Sequence, residues 1–168
     1  MEKYIHFTSI NIEKIESIFK YGIRTPFSLM INRIKKPEFN DTYNGLFFTS
    51  LTKESSNKKG IYRAFQVSGS YIGIELTTDK VYKATNKYSI FTNTPIPLRH
   101  SPYVDEWQTN KTILPNSFTA IYYPFIIEDK FYRDEEMEEI INFKTELEQL
   151  LKQYNLNIPI IEKKVYKK

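Results

Sequence analysis

The stretch "YIHFTSINIEKIESIFKYGI", residues 4–23, contains the signals for a strand, a helix and a helix stop in succession. Its first five residues are rich in aromatic and β-branched types that alternate, which predicts a short strand. Ser9 or Asn11 then offers an oxygen that caps a helix. Gly22 suits the position just after a helix end. Between cap and stop, apolar residues recur at helical spacing, namely Ile12, Ile15, Ile18 and Phe19.

The middle of the chain is rich in β-prone runs separated by turn residues. Recurring proline, asparagine and glycine predict a loop over residues 24–45, with one helical turn near 28–34. A polar helix or loop is predicted over 51–60, and "TNTPIPLRHSP", residues 92–102, predicts an irregular proline-rich loop. Strands are predicted over residues 45–50, 61–67, 71–76, 81–91 and 118–127, the last interrupted by Pro124.

The C-terminal part changes to a helical pattern from Asp134, which we expect to be the N-cap of a long helix. Glutamates follow near the positive end of the helix dipole. The segment "IPIIEKKVYKK", residues 158–168, predicts a last strand. The helix carries a wide apolar stripe typical of a core-facing helix, made of Met137, Ile140, Ile141, Leu147, Leu150, Leu151 and Tyr154.

Length and composition predict one folded domain, and the order of the predicted strands and helices predicts the α+β class. The 168 residues are 40% hydrophobic and 15% aromatic, which argues against disorder. No apolar run is long enough to span a membrane, and the N-terminus lacks the apolar segment of a signal peptide. The chain has no cysteine, which excludes disulfides, zinc–thiolate sites and cysteine nucleophiles. Helices do not alternate regularly with strands, which disfavours a doubly wound sheet.

The positive charge is concentrated at the C-terminus. The net charge is +4, but the last six residues hold four lysines, so 20 basic residues face 20 acidic ones in the rest of the chain. A basic tail is typically a solvated end, or else a weak electrostatic arm. The neutral body argues against an extended nucleic-acid groove.

The two histidines, His6 and His100, do not have a metal-binding spacing, and no G-x-S-x-G elbow is present. A metal site is therefore not predicted. His6 is open to two readings from the residues alone. It is either a half-buried side chain at a strand end, satisfied by a backbone group, or a residue that binds a ligand.

"HFTS" at residues 6–9, followed by a helix that ends in "GI" at 22–23, resembles the opening of the ADP-ribosyltransferase superfamily. The resemblance is closest to the bacterial toxins that modify DNA and to the RNA 2′-phosphotransferases. The family's positions are occupied here by His6, Thr8, Ile15, Ile18, Phe19, Gly22 and Ile23.

Two later segments are similar to the family's other motifs. "NGLFFTSLTKESSN", residues 44–57, resembles the middle motif but lacks its tyrosine, so the aromatic residue that would stack on nicotinamide is open among Phe47, Phe48, Tyr43 and Tyr62. "EWQTNKTILPNSFTAI", residues 106–121, resembles the third motif. It puts Glu106 at the family's glutamate position, with Asp105 as the fallback.

The resemblance implies an ADP-ribosyltransferase-like split β-sandwich with flanking helices and a long C-terminal helix. A single domain over 1–168 would hold a core at 1–130, the helix at 131–154 and a basic tail at 155–168. It implies transfer of ADP-ribose from NAD to a nucleic acid or protein, or NAD hydrolysis. The protein would be a toxin in bacterial or phage–host conflict, acting in a cytoplasm, with an antitoxin or host target protein as partner and no membrane.

The chemistry explains the residue types. Cleavage of the nicotinamide–ribose bond passes through an oxocarbenium-like transition state that a carboxylate stabilises, and this is the expected role of Glu106. His6 would orient NAD through a ribose hydroxyl, and Thr8 would support it. The other expected contacts are an aromatic face from Phe48 or Tyr62 and a pyrophosphate partner, Arg63 or Arg24.

Two other classes of function stay open. The 26 aromatic residues would also suit a non-catalytic binding module for single-stranded nucleic acid or for a partner protein. A nuclease or other hydrolase that uses His6 and His100 is the third reading. This hydrolase reading predicts cleavage of RNA without NAD.

Overall fold

The computed structural model describes the backbone at residues 3–25, 28–29, 46–50, 72–78, 82–83, 86–88, 95–97, 106–109, 111–127 and 131–165. Side chains are described in these ranges except at 46–50, 82–83, 86–88, 95–97, 106–108, 125–127 and 163–165.

Most of the described strands form one mixed sheet beside the two α-helices whose bounds the structure describes, which confirms the α+β class. The sheet has seven strands in the order β4-β7-β2-β1-β3-β8-β9, and β5 and β6 pair separately. β9 runs parallel to β8, and the other pairs are antiparallel. The strands are β1 (Lys3–Thr8), β2 (Leu46–Ser50), β3 (Ile72–Thr77), β4 (Tyr82–Lys83), β5 (Asn86–Tyr88), β6 (Pro95–Pro97), β7 (Glu106–Thr109), β8 (Phe118–Ile127) and β9 (Ile160–Val165).

Helix α1 (Ile12–Tyr21) forms as its sequence signals predict. The side chain of Asn11 accepts a hydrogen bond from the Lys14 backbone N–H at 2.9 Å, so Asn11 rather than Ser9 is the cap. Gly22 ends the helix at φ 88° and ψ 178°, a conformation that only glycine adopts readily. Its backbone lies against Ile113, which pairs with Ile23.

Helix α2 (Asp134–Gln153) confirms the long C-terminal helix but differs in two details. The predicted N-cap was wrong: Arg133 precedes the helix, and its backbone N–H donates to the Glu136 carboxylate at 3.0 Å. Ile141 is 60% exposed, so its place in the apolar stripe was also wrong. Phe143 is buried instead and packs at 58° against the ring of Tyr123, with 5.5 Å between ring centroids.

The β-rich middle agrees with its predictions at 45–50, 71–76 and 118–127. Within 81–91 there are two short strands, β4 and β5. The predicted irregular loop was wrong at Pro95–Pro97, which forms β6 by pairing with β5. The predicted strand at 61–67 and the polar segment 51–60 lie outside the described residues, as does most of 28–34.

The hydrophobic core lies between the sheet and the two helices. Alternate residues of the central strands contribute, including Tyr4, Ile74 and Ile121, because a pleated strand presents every second residue to one face. The helices supply Ile15, Phe19, Leu147 and other apolar residues to the same cluster. The predicted last strand is confirmed as β9.

Candidate functional site

The three segments that resemble family motifs fall on three neighbouring strands. β1 carries His6 and Thr8, β2 carries Phe48, and β7 begins at Glu106. In the sheet these strands are adjacent in the order β7-β2-β1, although they are far apart in the sequence. The tertiary structure therefore brings the three motifs to one part of the sheet.

The register of the three strands places Ile5, Thr49 and Glu106 in one row across the sheet. Its Cα partner on β2 is Thr49, and the partner of Thr49 on β7 is Glu106. His6 is the next residue along β1, and successive residues of a strand alternate between faces, so His6 lies on the opposite face from Ile5. In this register the β1 residue in the row of Glu106 is Ile5, not His6.

β1 pairs with β2 at two positions, Tyr4 with Ser50 and Ile5 with Thr49. On its other side β1 is paired with β3 from Lys3 to Thr8, and β2 is paired with β7 from Leu46 to Thr49.

His6 and Thr8 lie on the same face of β1. His6 is half-buried and pairs with Ile74 of β3. Thr8 is 2% exposed, and its hydroxyl Oγ1 has no hydrogen-bond partner among the residues that the structure describes. A buried hydroxyl without a partner costs about 1–3 kcal/mol, so it is uncommon without a functional or structural cause. Among the described side chains, Thr8 has the clearest unused hydrogen-bonding capacity.

The other candidate residues are placed in part. Phe48 has Trp107 as its Cα partner on β7. Arg24 donates to Ser17 Oγ at 2.7 Å and lies over the ring of Tyr21, with 4.8 Å from Cζ to the ring centroid. Arg24 thus interacts with two residues of the preceding helix, α1. The remaining candidates lie outside the described residues: Tyr62, Arg63, Tyr43, His100 and Asp105.

Sequence reasoning missed Glu75, a buried carboxylate in β3. It is 3% exposed, and its Oε1 accepts hydrogen bonds from Thr119 at 2.7 Å and Lys3 at 2.8 Å. Its Oε2 accepts one from the Tyr122 hydroxyl. The sequence signal that could have identified Glu75 is a single acidic residue inside the apolar run "YIGIEL", residues 71–76. A charge in such a run is expected to be buried, and a buried charge needs partners.

Opposing effects act on the ionisation of Glu75. Burial raises its pKa, but the hydrogen bonds from Lys3, Tyr122 and Thr119 outweigh burial and leave the pKa below its usual value. Burial also raises the pKa of Tyr122, and the neighbouring Glu75 carboxylate adds to this effect. The cluster therefore holds an ionised carboxylate and a protonated tyrosine at neutral pH.

Among the described residues, no group of His, Cys, Asp or Glu is arranged to hold a metal ion. No helix within these ranges has the length and hydrophobicity needed to cross a membrane. Comparison of the chain with protein-family models, with curated proteins and with solved structures finds no match. Function is therefore inferred from the residues and their arrangement.

Proposed function

We propose that this chain is an NAD-dependent ADP-ribosyltransferase that modifies a macromolecule. The observation that carries the proposal is the adjacency of β7, β2 and β1, which hold the three motif segments. Glu106 is the first residue of β7, and the Cα partners Thr49 and Ile5 connect its position to the residue before His6. If the three motif matches arose by chance, they would not be expected to fall on adjacent strands.

The register sets a condition on the ligand. Ile5 shares a row with Thr49 and Glu106, and His6, the next residue of β1, lies on the opposite face. Because Glu106 is the first residue of β7, the proposal requires that NAD reach it around the start of that strand.

The hydroxyl of Thr8 supports a polar ligand. It is buried and has no partner within the described part of the chain, and a hydroxyl offers one donor and two acceptor positions. NAD carries ribose hydroxyls and a carboxamide, which match this capacity. Thr8 therefore fits the supporting role, and the hydrogen bond to NAD would offset the cost of burying its hydroxyl.

The proposed roles follow from the reaction. Glu106 stabilises the positive charge that develops on the ribose as nicotinamide leaves, and it helps to deprotonate the acceptor. A carboxylate fixed in advance stabilises such charge without reorganisation at the moment of reaction. His6 orients the substrate through a hydrogen bond, and Phe48 is the proposed aromatic contact for nicotinamide. NAD is a substrate here, and the acceptor is a nucleic acid or a protein.

The test is nicotinamide release by the purified protein, with single-stranded DNA, RNA or cell lysate as acceptor. Glu106→Gln should lower the rate by about 100-fold or more. It removes the negative charge that stabilises the transition state but keeps the size and shape of the side chain. Glu135→Gln, an exposed substitution on α2, is the matched control and should leave the rate unchanged. Transfer of label from NAD would then identify the acceptor.

The proposal fails if no acceptor supports nicotinamide release and NAD does not raise the melting temperature. Release that is equally fast in Glu106→Gln would exclude Glu106 as the catalytic carboxylate. Turnover of RNA without NAD, lost in both His6→Ala and His100→Ala, would instead favour the hydrolase reading. Binding of single-stranded nucleic acid without any turnover would favour the binding module.

A further inference from the structure

A groove of about 650 Å³ lies beside the C-terminal half of α2, far in sequence from the proposed NAD site. We call it the β9 groove. Its lining comes from α2 and from the segment 155–160, and it includes Lys144, Glu148, Leu151, Lys152, Ile158 and Ile160. The volume falls in the range of ligand-binding clefts.

The apolar part of the β9 groove is continuous with the hydrophobic core. Leu151 is buried, while Leu156, Ile158 and Ile160 are partly buried and pack against the core cluster. These side chains have remaining exposed surface inside the groove. An apolar side chain from a partner would find contacts here without any rearrangement of the core.

β9, which starts at Ile160 in this groove, is an edge strand. Among the described strands it pairs only with β8. The Ile121 N–H donates to the Pro159 carbonyl at 2.8 Å, and the backbone groups of a parallel strand alternate in direction. The N–H and C=O groups of Ile160 and Glu162 therefore point away from β8, toward the side where no other described strand pairs with β9.

The charges around the groove favour an acidic partner. Lys144 and Lys152 are exposed and line it, and Glu148 is the one acidic residue in the lining. β9 continues with Lys163 and Lys164 after Glu162. A peptide that lies along β9 would thus pass more lysines than glutamates.

We propose that β9 and the β9 groove bind an extended segment of another protein that presents both apolar and acidic side chains on the face turned to the groove. The segment adds a strand to the edge through the backbone groups of Ile160 and Glu162. Every second side chain of the segment faces the groove. The apolar ones among these lie beside Leu151 and Ile158, and an acidic one meets Lys144 or Lys152. This is recognition by strand addition, in which main-chain hydrogen bonds supply affinity and side-chain pockets supply selectivity. The interaction is separate from the proposed NAD chemistry.

Lysines on an edge strand also have a simpler effect, which is to discourage pairing with other chains. That effect alone does not need an apolar groove next to the edge. The two readings make opposite predictions. A merely protected edge rejects all extended peptides, whereas a docking edge accepts acidic ones and rejects basic ones.

The test uses the full-length protein and fluorescent peptides of roughly ten residues, a typical upper length for a strand. In each peptide every second residue is valine, isoleucine, leucine or phenylalanine, except for one glutamate in that same series, and the residues between are threonine. Binding is measured by fluorescence anisotropy. We expect at least one peptide to bind, and its lysine-for-glutamate counterpart to bind at least about 10-fold more weakly. Methylation of alternate peptide amides should weaken binding by a similar factor, because it removes the strand's hydrogen bonds.

Lys152→Glu should lower the affinity for the tightest-binding peptide by about 10-fold. Lys111 is an exposed lysine outside the groove, so Lys111→Glu should leave this affinity unchanged. Amide exchange at Ile160 and Glu162 should slow on binding. The proposal is overturned if no peptide of the set binds, or if methylated peptides bind as tightly as unmethylated ones. A dimer of this chain that Glu162→Pro disrupts would assign the edge to a second copy and would also overturn it.

Discussion

The hydroxyl of Tyr122 on β8 donates a hydrogen bond to Glu75 on β3, so a buried carboxylate joins two neighbouring strands. Thr119 of β8 donates to the other carboxylate oxygen, and Lys3 of β1 forms an ion pair with it. One acidic side chain thus connects three adjacent strands at the centre of the sheet.

Glu75→Ala should lower the free energy of unfolding by about 2–3 kcal/mol, because it leaves the hydroxyls of Thr119 and Tyr122 without their acceptor. Glu75→Gln keeps an oxygen at the same place and should cost less. Urea unfolding measures both. Glu162→Ala, an exposed substitution on β9, is the control and should change stability by less than about 0.5 kcal/mol. Equal stability of Glu75→Ala and wild type would show that the cluster contributes nothing.

The stabilising effect of Glu75 should disappear in acid. The pKa of this carboxyl is lower in the folded state than its ordinary value of 4.5, so the folded state gains stability above that value. The gain is lost as the pH falls through the folded-state pKa. The difference in unfolding free energy between wild type and Glu75→Gln, followed from about pH 7 to about pH 3, should be constant at first and shrink below about 4.5. A difference that does not vary with pH would contradict the assignment.

Gly22→Ala should destabilise the protein by about 2 kcal/mol or more. A Cβ at this position would lie 2.3 Å from the Ile113 carbonyl oxygen, and the φ of 88° is unfavourable for any residue with a side chain. Asn155, at φ 53°, provides a contrast, because Asn155→Gly should be neutral or slightly stabilising. Thermal unfolding of both variants measures the difference. A tolerated Gly22→Ala would mean that the Ile23–Ile113 pairing shifts easily.

Thr8→Val should stabilise the free protein by about 1 kcal/mol, because it replaces an unpartnered buried hydroxyl with a methyl group of similar size. If Thr8 supports NAD, the same variant should raise the KM for NAD. Thermal unfolding and nicotinamide release measure the two effects.

Thr25→Val is the matched control for Thr8→Val. The Thr25 hydroxyl is equally buried but accepts a hydrogen bond from the Ser28 N–H at 3.2 Å. Its replacement should therefore destabilise the protein by about 1 kcal/mol, the opposite sign. A loss of stability in Thr8→Val would show that its hydroxyl has a partner in solution.

The first strand and both helices were predictable because their signals act over a few residues. The Asn11 cap, the Gly22 stop and the apolar spacing between them lie within one short segment. The errors at Ile141 and Phe143 have a tertiary cause. Both residues are compatible with a helix, but the position of α2 on Tyr123 decides which of them is buried. The strand at Pro95–Pro97 depends on its partner β5, which local composition does not reveal.

The candidate site was predictable only as separate residues. Sequence patterns identified His6, Thr8 and Glu106, but their relative positions depend on strand pairing between distant segments. Register also placed Ile5, rather than His6, in the row of Glu106. Glu75 was missed because its importance comes from three partners on two other strands.

The sequence by itself determined the local elements of this protein, its α+β class and the candidate residues on which the proposed function rests. Caps, stops and hydrophobic spacing act between neighbours in the chain, so they can be recognised without a fold. Only the tertiary structure decided that β1, β2 and β7 are adjacent, that Ile5 shares a row with Glu106, and that β9 lies at the edge of the sheet formed by the described strands. These are properties of hydrogen bonding between distant segments, whose register no single segment encodes.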